Sequence, residues 1–218
     1  MPDRTALVTG GAGGLGRSVV ETLVGDGWDV VVPVEAGSDL EPSEGVSTVV
    51  ADLTDPDDVA RAVRAAGENL RAVVNLVGGF AADQPVQTTP LADFERMFAL
   101  NLRPTYLVTQ AAFGTLKDSG SIVCVGSATA LEPFAGAAGY AASKAAVIAF
   151  ARAVAAEGRP DGVRCNAIVP TQIDTPANRA AMPESEHHKL VPPQRIAGVI
   201  AFLCSDQSAA INGAALGV

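Results

Sequence analysis

The chain has 218 residues, of which 48% are apolar and only 5% aromatic, and it carries a formal charge of −9. That length suits one α/β domain with a sizeable core, and the acidic balance argues against nucleic acid or an anionic membrane as the main partner. No signal-peptide pattern opens the chain and no uncharged apolar run reaches membrane-spanning length, so a cytoplasmic location is expected.

The first apolar run, Ala6-Leu7-Val8, predicts a strand over 4–9, and Thr9-Gly10-Gly11-Ala12-Gly13-Gly14-Leu15-Gly16 follows it into a helical pattern over 14–25. A dinucleotide site needs that order of strand, glycine-rich turn and helix. Glycines let the backbone turn tightly against a pyrophosphate, and the helix N-terminus offers free N–H groups and a positive dipole end. A bare turn is the alternative reading of such a stretch taken alone. A second strand over 28–34 ends at Val34-Glu35, and a third is predicted over 46–50, with no room for a long helix in Asp39 to Gly45. Asp52-Leu53-Thr54 precedes a helix over 56–67, where Asp52 is either a ligand contact or a turn cap. The fourth strand, 71–77, contains Asn75 and leads to Gly78; a long helix over 91–117 contains Asn101. The fifth strand, 120–126, delivers Ser127, and a helix over 138–157 carries Tyr140 and Lys144. A strand over 162–169, a helix over 192–205 and a short strand near 213–217 complete the pattern. Between Pro170 and Pro193, five prolines mark the least regular region, expected as a mobile loop over the substrate. Alternation of this kind implies a doubly wound parallel sheet with right-handed crossovers, a three-layer α/β/α Rossmann-like fold spanning 1–218 as one domain.

The chemistry concentrates in Ser127, Tyr140 and Lys144. Ser127 falls at the C-terminal end of a strand, where open α/β sheets place their sites. Tyr140 and Lys144, four apart, share one face of their helix. A tyrosine with a pKa of about 10 is a poor proton donor or base at neutral pH, and a neighbouring ammonium stabilises the phenolate. Such a pair in isolation is more often a surface feature. Cys124, Cys165 and Cys204 read as buried free thiols in a reducing compartment. His187 and His188 have no third ligand at suitable spacing, so no metal site is expected.

In this order and spacing, the Thr9-to-Gly16 turn, Asp52-Leu53-Thr54, Asn75 before Gly78, Asn101, Ser127, Tyr140 with Lys144, and Asn166 through Pro170 resemble the short-chain dehydrogenase/reductase family over nearly the whole chain. The resemblance implies an NAD(P)H-dependent oxidoreductase moving hydride between nicotinamide and a small-molecule carbonyl or alcohol. Ser127 would steady the carbonyl oxygen and Tyr140 would transfer the proton. Lys144 would lower the Tyr140 pKa and hold the nicotinamide ribose. Asn101 would position a water relay behind Lys144, or else be a buried amide that interrupts its helix. Implied cofactor contacts are Gly10, Gly13, Gly14, Leu15 and Gly16 at the turn, Asp52 and Leu53 around the adenine, and Asn75 and Gly78 near the ribose. Pro170, Ile173 and Thr175 complete them, with Thr175 at the carboxamide. Val77 and Thr171 depart from the family's usual alanine and glycine.

Where NAD-preferring relatives carry an acidic residue, this chain has Val34 followed by Glu35. Glu35 would repel a 2′-phosphate, so NAD(H) is favoured over NADP(H), with Arg17 the residue able to reverse that preference. Val77-Gly78-Gly79-Phe80, Asp174 to Arg179 and Met182-Pro183 are also similar to the dihydropteridine reductase branch. Ser127 and Val34 depart from that branch, leaving pterin reduction as an alternative activity and a non-catalytic nucleotide-binding sensor or scaffold as a third. By the same resemblance a homodimer or homotetramer would pair the helices at 91–117 and 138–157. Leu107, Ala111, Ala112, Ala145, Ala149 and Ala153 would lie in that interface or else face the sheet. Phe80, Leu131 and Phe134 suggest a partly apolar or planar substrate.

Overall fold

Apolar runs rich in Val and Ile build the centre of the molecule. The computed structural model describes residues 4–82, 84–116 and 120–218. Its strands are β1 (Thr5–Thr9), β2 (Asp29–Val34), β3 (Val46–Val50), β4 (Leu70–Asn75), β5 (Ser121–Val125), β6 (Arg164–Val169) and β7 (Ala215–Gly217). The α-helices are α1 (Gly14–Gly25), α2 (Pro56–Ala66), α3 (Leu91–Asn101), α4 (Arg103–Phe113), α5 (Ala138–Glu157), α6 (Pro176–Ala181) and α7 (Pro193–Cys204). The strands form one sheet in the order β3-β2-β1-β4-β5-β6-β7, and every neighbouring pair is parallel.

Successive strand residues point to opposite faces, so each strand feeds two cores. Leu7, Val31, Val73, Ile122 and Cys165 pack with α2, α4 and α5 on one face. Ala6, Val8, Val30, Val74 and Ile168 pack with α1 and α7 on the other. The direction of winding reverses between β1 and β4, and a crevice opens there at the C-terminal ends of the strands.

Local chemistry sets the helix boundaries that frame this crevice. Asp55 caps α2 by accepting from the N–H groups of Asp57 (2.8 Å) and Asp58 (3.2 Å), and Gly67 closes it at φ +71°. The predicted helix over 91–117 is in fact two, divided at Leu102, and its last residue lies outside those described. Pro104, in the first turn of α4, has no N–H to continue the ladder and its ring conflicts with the carbonyl four residues earlier. The stretch from Pro170 to Pro193 is more ordered in form than a plain loop, carrying α6 and a 3₁₀ helix over Glu184–Lys189. A bridge between Ile173 and Val191 and an Asp174–Arg179 ion pair close its base.

Among the residues expected at a subunit interface, Ala112 is buried in the core instead, because it lies on the sheet side of α4. Ala111, Ala145, Ala149 and Ala153 are exposed, Leu107 is half-buried, and Tyr106 meets Phe150 edge-on across α4 and α5 with ring centroids 6.1 Å apart. Among the described residues, no helix is long and apolar enough to cross a membrane.

Candidate active site

The glycine-rich turn makes the tightest backbone approaches in the site. Gly10 adopts φ +67°, and a Cβ there would stand 3.2 Å from the backbone of Leu76 and Val77 beyond β4. A Cβ on Gly16 would fall 2.1 Å from the Gly10 carbonyl oxygen, so α1 sits against the turn only because that position is glycine. Gly13 caps α1 without a side chain, leaving first-turn N–H groups open toward the crevice, while Leu15 is buried beneath. Gly14 faces Thr175, whose methyl a Cβ would meet at 2.8 Å.

Beside the turn lies a cavity of about 560 Å³ lined by Gly10, Ala12, Glu35, Asp52, Leu53 and Val77 among others. Its size suits a nucleotide moiety. A glycine floor, a helix N-terminus and an apolar slot at Leu53 and Val77 are what the adenosine and pyrophosphate of a dinucleotide require, so the residues present fit such a cofactor. Glu35 is exposed at the cavity edge, just past β2. Asp52 Oδ1 accepts from the N–H (2.8 Å) and the hydroxyl (2.7 Å) of Thr54, which hold its carboxyl below the ordinary range. The turn-cap role is therefore realised, on a residue that also lines the cavity.

The reactive side chains gather at the ends of β4 and β5. Ser127 is buried, caps the 3₁₀ turn Ala128–Ala130 by accepting from the Thr129 N–H (3.2 Å), and shares a hydrogen bond with Tyr140. The Pro170 carbonyl receives the Ala128 N–H at 2.9 Å and so ties this turn to the end of β6. Lys144, one helical turn beyond Tyr140, is buried and donates from Nζ to the Val125 carbonyl at 2.9 Å. Burial lowers its pKa from 10.5 to about 8, opposed by the nearby Cys124. Tyr140 moves the other way: burial raises its pKa, and the Ser127 hydrogen bond offsets that in part. Lys144 is not among the groups that shift Tyr140; its ammonium is bonded to the Val125 carbonyl at the strand end.

Asn101 is a clamp. Its Oδ1 accepts from the Gly79 N–H (3.0 Å), and its Nδ2 donates to the Gly79 carbonyl (3.1 Å) and the Ser143 hydroxyl (3.1 Å). A Cβ on Gly78 would stand 2.6 Å from that Oδ1 and 3.1 Å from Lys144 Nζ, so the loop after β4 is held directly against both groups. Asn101 is therefore a buried amide at the α3–α4 break, and its bonds reach the residue next to Lys144.

Other predicted contacts take supporting positions. Asn75 is buried behind the strand end, donating to Thr109 (3.2 Å) and toward Cys124 sulfur (4.0 Å), and its Oδ1 has no hydrogen-bond partner among the described residues. Thr175 caps α6 by accepting from the Asn178 N–H (3.2 Å), and the Ile173 carbonyl accepts from Asn178 Nδ2 (2.7 Å). Together they seat α6 beside the glycine turn. Three residues have functions their sequence context concealed. Ser143 completes the Asn101 clamp, Asp39 pairs with Arg17 at 2.7 Å, and Phe80 stands edge-on to Tyr140 with centroids 4.8 Å apart. Asp39 sits in an irregular segment with no local signal, whereas Phe80 was legible only as a pocket wall. All three cysteines are buried and free, and among the described residues no cluster of metal-ligating side chains exists.

This combination of a dinucleotide cradle with a Ser-Tyr-Lys set defines a nicotinamide-dependent oxidoreductase. The family model described as short chain dehydrogenase matches residues 4–186. The chain is 32% identical to the 3-beta-hydroxysteroid dehydrogenase of Comamonas testosteroni, over 98% of this chain and 93% of that one. It is 34% identical to the 3-oxoacyl-[acyl-carrier-protein] reductase MabA of Mycobacterium tuberculosis, over 99% of this chain and 91% of that one. Among solved structures, a blue fluorescent protein from a metagenomic library in complex with NADPH superposes with a TM-score of 0.87 at 31% identity, covering 99% of this chain and 96% of that one. The chain belongs to the short-chain dehydrogenase/reductase family, whose members act on hydroxyl or carbonyl groups.

Proposed function

We propose that the protein is an NADH-preferring reductase or dehydrogenase of a small carbonyl or alcohol substrate, with Ser127, Tyr140 and Lys144 as its catalytic residues. The observation that carries this is the convergence of three side chains, Ser127 buried at the end of β5, Tyr140 on α5, and Lys144 buried one turn further along α5 with its ammonium on the Val125 carbonyl. When bound, the nicotinamide supplies or accepts the hydride. Ser127 directs its hydroxyl at the substrate oxygen and stabilises the charge that develops there. Tyr140 delivers its phenolic proton to the same oxygen in reduction and takes one in oxidation. Lys144 would hold the nicotinamide ribose and, once drawn toward it, would stabilise the phenolate. Asn101 fixes the Gly78-Gly79 loop and α5 relative to each other, which sets where that ammonium sits. Gly10, Gly13, Gly14 and Gly16 would hold the pyrophosphate, and Asp52 and Leu53 would flank the adenine.

The preference for NADH rests on Glu35, whose carboxylate would oppose a 2′-phosphate at the cavity edge. Exposed Phe80, set edge-on to Tyr140, together with the exposed Leu131 and Phe134 of the segment that follows Ser127, favours a substrate with a flat or apolar surface beside its carbonyl. A homodimer or homotetramer through α4 and α5, in the cytoplasm, completes the reading.

The test is a fluorescence titration with NADH and NADPH of the wild type and Glu35→Arg, followed by a panel of flat ketones and quinonoid dihydropterin with Tyr140→Phe as control. NADH is expected to bind at least tenfold tighter, about 1.4 kcal/mol, with NADPH gained in the variant. Turnover of ketones should be lost in Tyr140→Phe. Dihydropterin as the sole substrate would transfer the activity to pterin reduction, and cofactor binding without any turnover would mark a nucleotide sensor.

A further inference from the structure

Arg17 lies on the first turn of α1, facing the loop that follows β2. Its Nε donates to the Ala12 carbonyl at 3.1 Å, and one terminal nitrogen donates to Asp39 Oδ1 at 2.7 Å. Ala12, the first acceptor, and Ser38, the residue before Asp39, both line the 560 Å³ cavity together with Glu35. The guanidinium therefore bridges two segments that line the cavity, the glycine turn and the post-β2 loop, while also bordering a second depression beside Glu21, Leu40 and Glu44 on the outer side of α1. Of its five N–H donors, those two bonds leave others open, and its side chain is 42% exposed. Arginine is the side chain best matched to a phosphate, through paired N–H donors and a permanent charge. A 2′-phosphate at this rim would meet repulsion from Glu35 and attraction from Arg17. Asp39 decides between them.

We infer that Asp39 is a cofactor-specificity residue acting through Arg17: its carboxylate withholds the guanidinium from a 2′-phosphate and adds a second negative charge beside Glu35. The inference deepens the NADH reading and rests on it. Arg17, Glu35 and Asp39 together carry one net negative charge at the rim, and neutralising Asp39 brings that sum to zero while freeing the guanidinium. Because both partners of the ion pair are substantially exposed, their bond is of the kind that holds weakly and competes with other anions. A dianionic phosphate could then capture the cation once Asp39 no longer does.

The experiment measures dissociation constants for NADH and NADPH by fluorescence, and for 5′-AMP and 2′,5′-ADP by displacement. It uses the wild type, Asp39→Asn, Arg17→Ala and the double variant. Asp39→Asn should tighten NADPH and 2′,5′-ADP by roughly five- to twentyfold, with NADH and 5′-AMP moving less than about twofold. Adding Arg17→Ala should return the phosphorylated ligands to near their wild-type affinities. An unchanged NADPH affinity in Asp39→Asn overturns the inference. So does a gain that persists in the double variant, since bulk charge rather than Arg17 would then be responsible. Wild type that binds neither nucleotide overturns the dinucleotide reading itself. Wild type that prefers NADPH overturns the role of both Glu35 and Asp39 as discriminators.

Discussion

Replacing Lys144 by Met should disable the enzyme and stabilise the unliganded fold. Burial takes the Lys144 ammonium from an ordinary pKa of 10.5 to about 8, which corresponds to about 3 kcal/mol of disfavoured charge. The sign follows from proton linkage. Below pH 8 both folded and unfolded chains carry the proton, and the folded state bears the whole penalty. Between pH 8 and 10.5 the folded lysine is neutral while the unfolded one still binds a proton, so stability climbs as pH rises. Above that range the penalty is gone. Met fills much of the same volume without a charge, at the loss of the 2.9 Å bond to the Val125 carbonyl, worth about 1 kcal/mol. At pH 7 the variant should therefore unfold with about 2 kcal/mol more difficulty than wild type.

Urea unfolding of both proteins, without cofactor, at pH 7 and pH 10 gives the cleaner number. The wild type should gain about 2 kcal/mol on Lys144→Met over that interval, because terms common to both proteins cancel in the difference. A difference that stays flat with pH would refute the reasoning, since Lys144 would then be either solvated or paired in the folded state. Catalysis should be lost in the same variant, making Lys144 a residue whose presence costs stability for the sake of chemistry.

Gly16→Ala should force α1 off the turn, because its Cβ would meet backbone atoms of Gly10 at 2.1 Å and Gly11 at 2.6 Å. The expected loss is about 1–3 kcal/mol together with the NADH-induced rise in Tm, whereas Gly25→Ala, with nothing within 4 Å, should keep both. Asn101→Ala removes one buried and two part-buried hydrogen bonds and takes the acceptor from the Gly79 N–H, while the Ser143 hydroxyl keeps its bond to the Tyr140 carbonyl. It should cost about 2–4 kcal/mol by denaturant unfolding, and a cost below 1 kcal/mol would mean that water replaces the clamp. Phe80→Ala should uncover Tyr140 and let its raised pKa fall back toward 10, read from phenolate absorbance. The chain has only two tyrosines, so Tyr106 serves as the internal reference, and an unmoved Tyr140 titration would show that other groups bury it.

The parts of this site that were legible in the sequence are those whose physics is local. A glycine-rich turn between a strand and a helix needs only consecutive residues, and Gly10, Gly13, Gly14 and Gly16 stand where the pattern puts them. Strand ends were read within a residue or two because β-branched runs stop where turn chemistry begins. The break at Leu102 was also local: Pro104 was visible, but the apolar pattern continues across it and masks the interruption. Asn101 could not be resolved from sequence, since its partners Gly79 and Ser143 lie 22 and 42 residues away. The Arg17–Asp39 pair has the same character, joining a helix to an irregular loop 22 residues on.

Tyr140 and Lys144 mark the boundary between placement and protonation. Their four-residue spacing does put both on one helical face at the ends of the strands, and spacing can say no more than that. Which charge each carries depends on solvent exclusion, contributed by Phe80, the Gly78-Gly79 loop and the Val125 carbonyl, none of which is near them in sequence. Burial alone pushes the phenol up and the ammonium down, so each group drifts toward its neutral form. An ammonium and a phenolate brought close would offset one another's penalty, a coupling that neither residue gains while Nζ is bonded to the strand end. With its pKa near 8, Lys144 still carries its proton at neutral pH, whereas burial keeps the Tyr140 phenol protonated, so stabilising a phenolate requires the ammonium to come nearer to Tyr140 than its bond to the Val125 carbonyl places it.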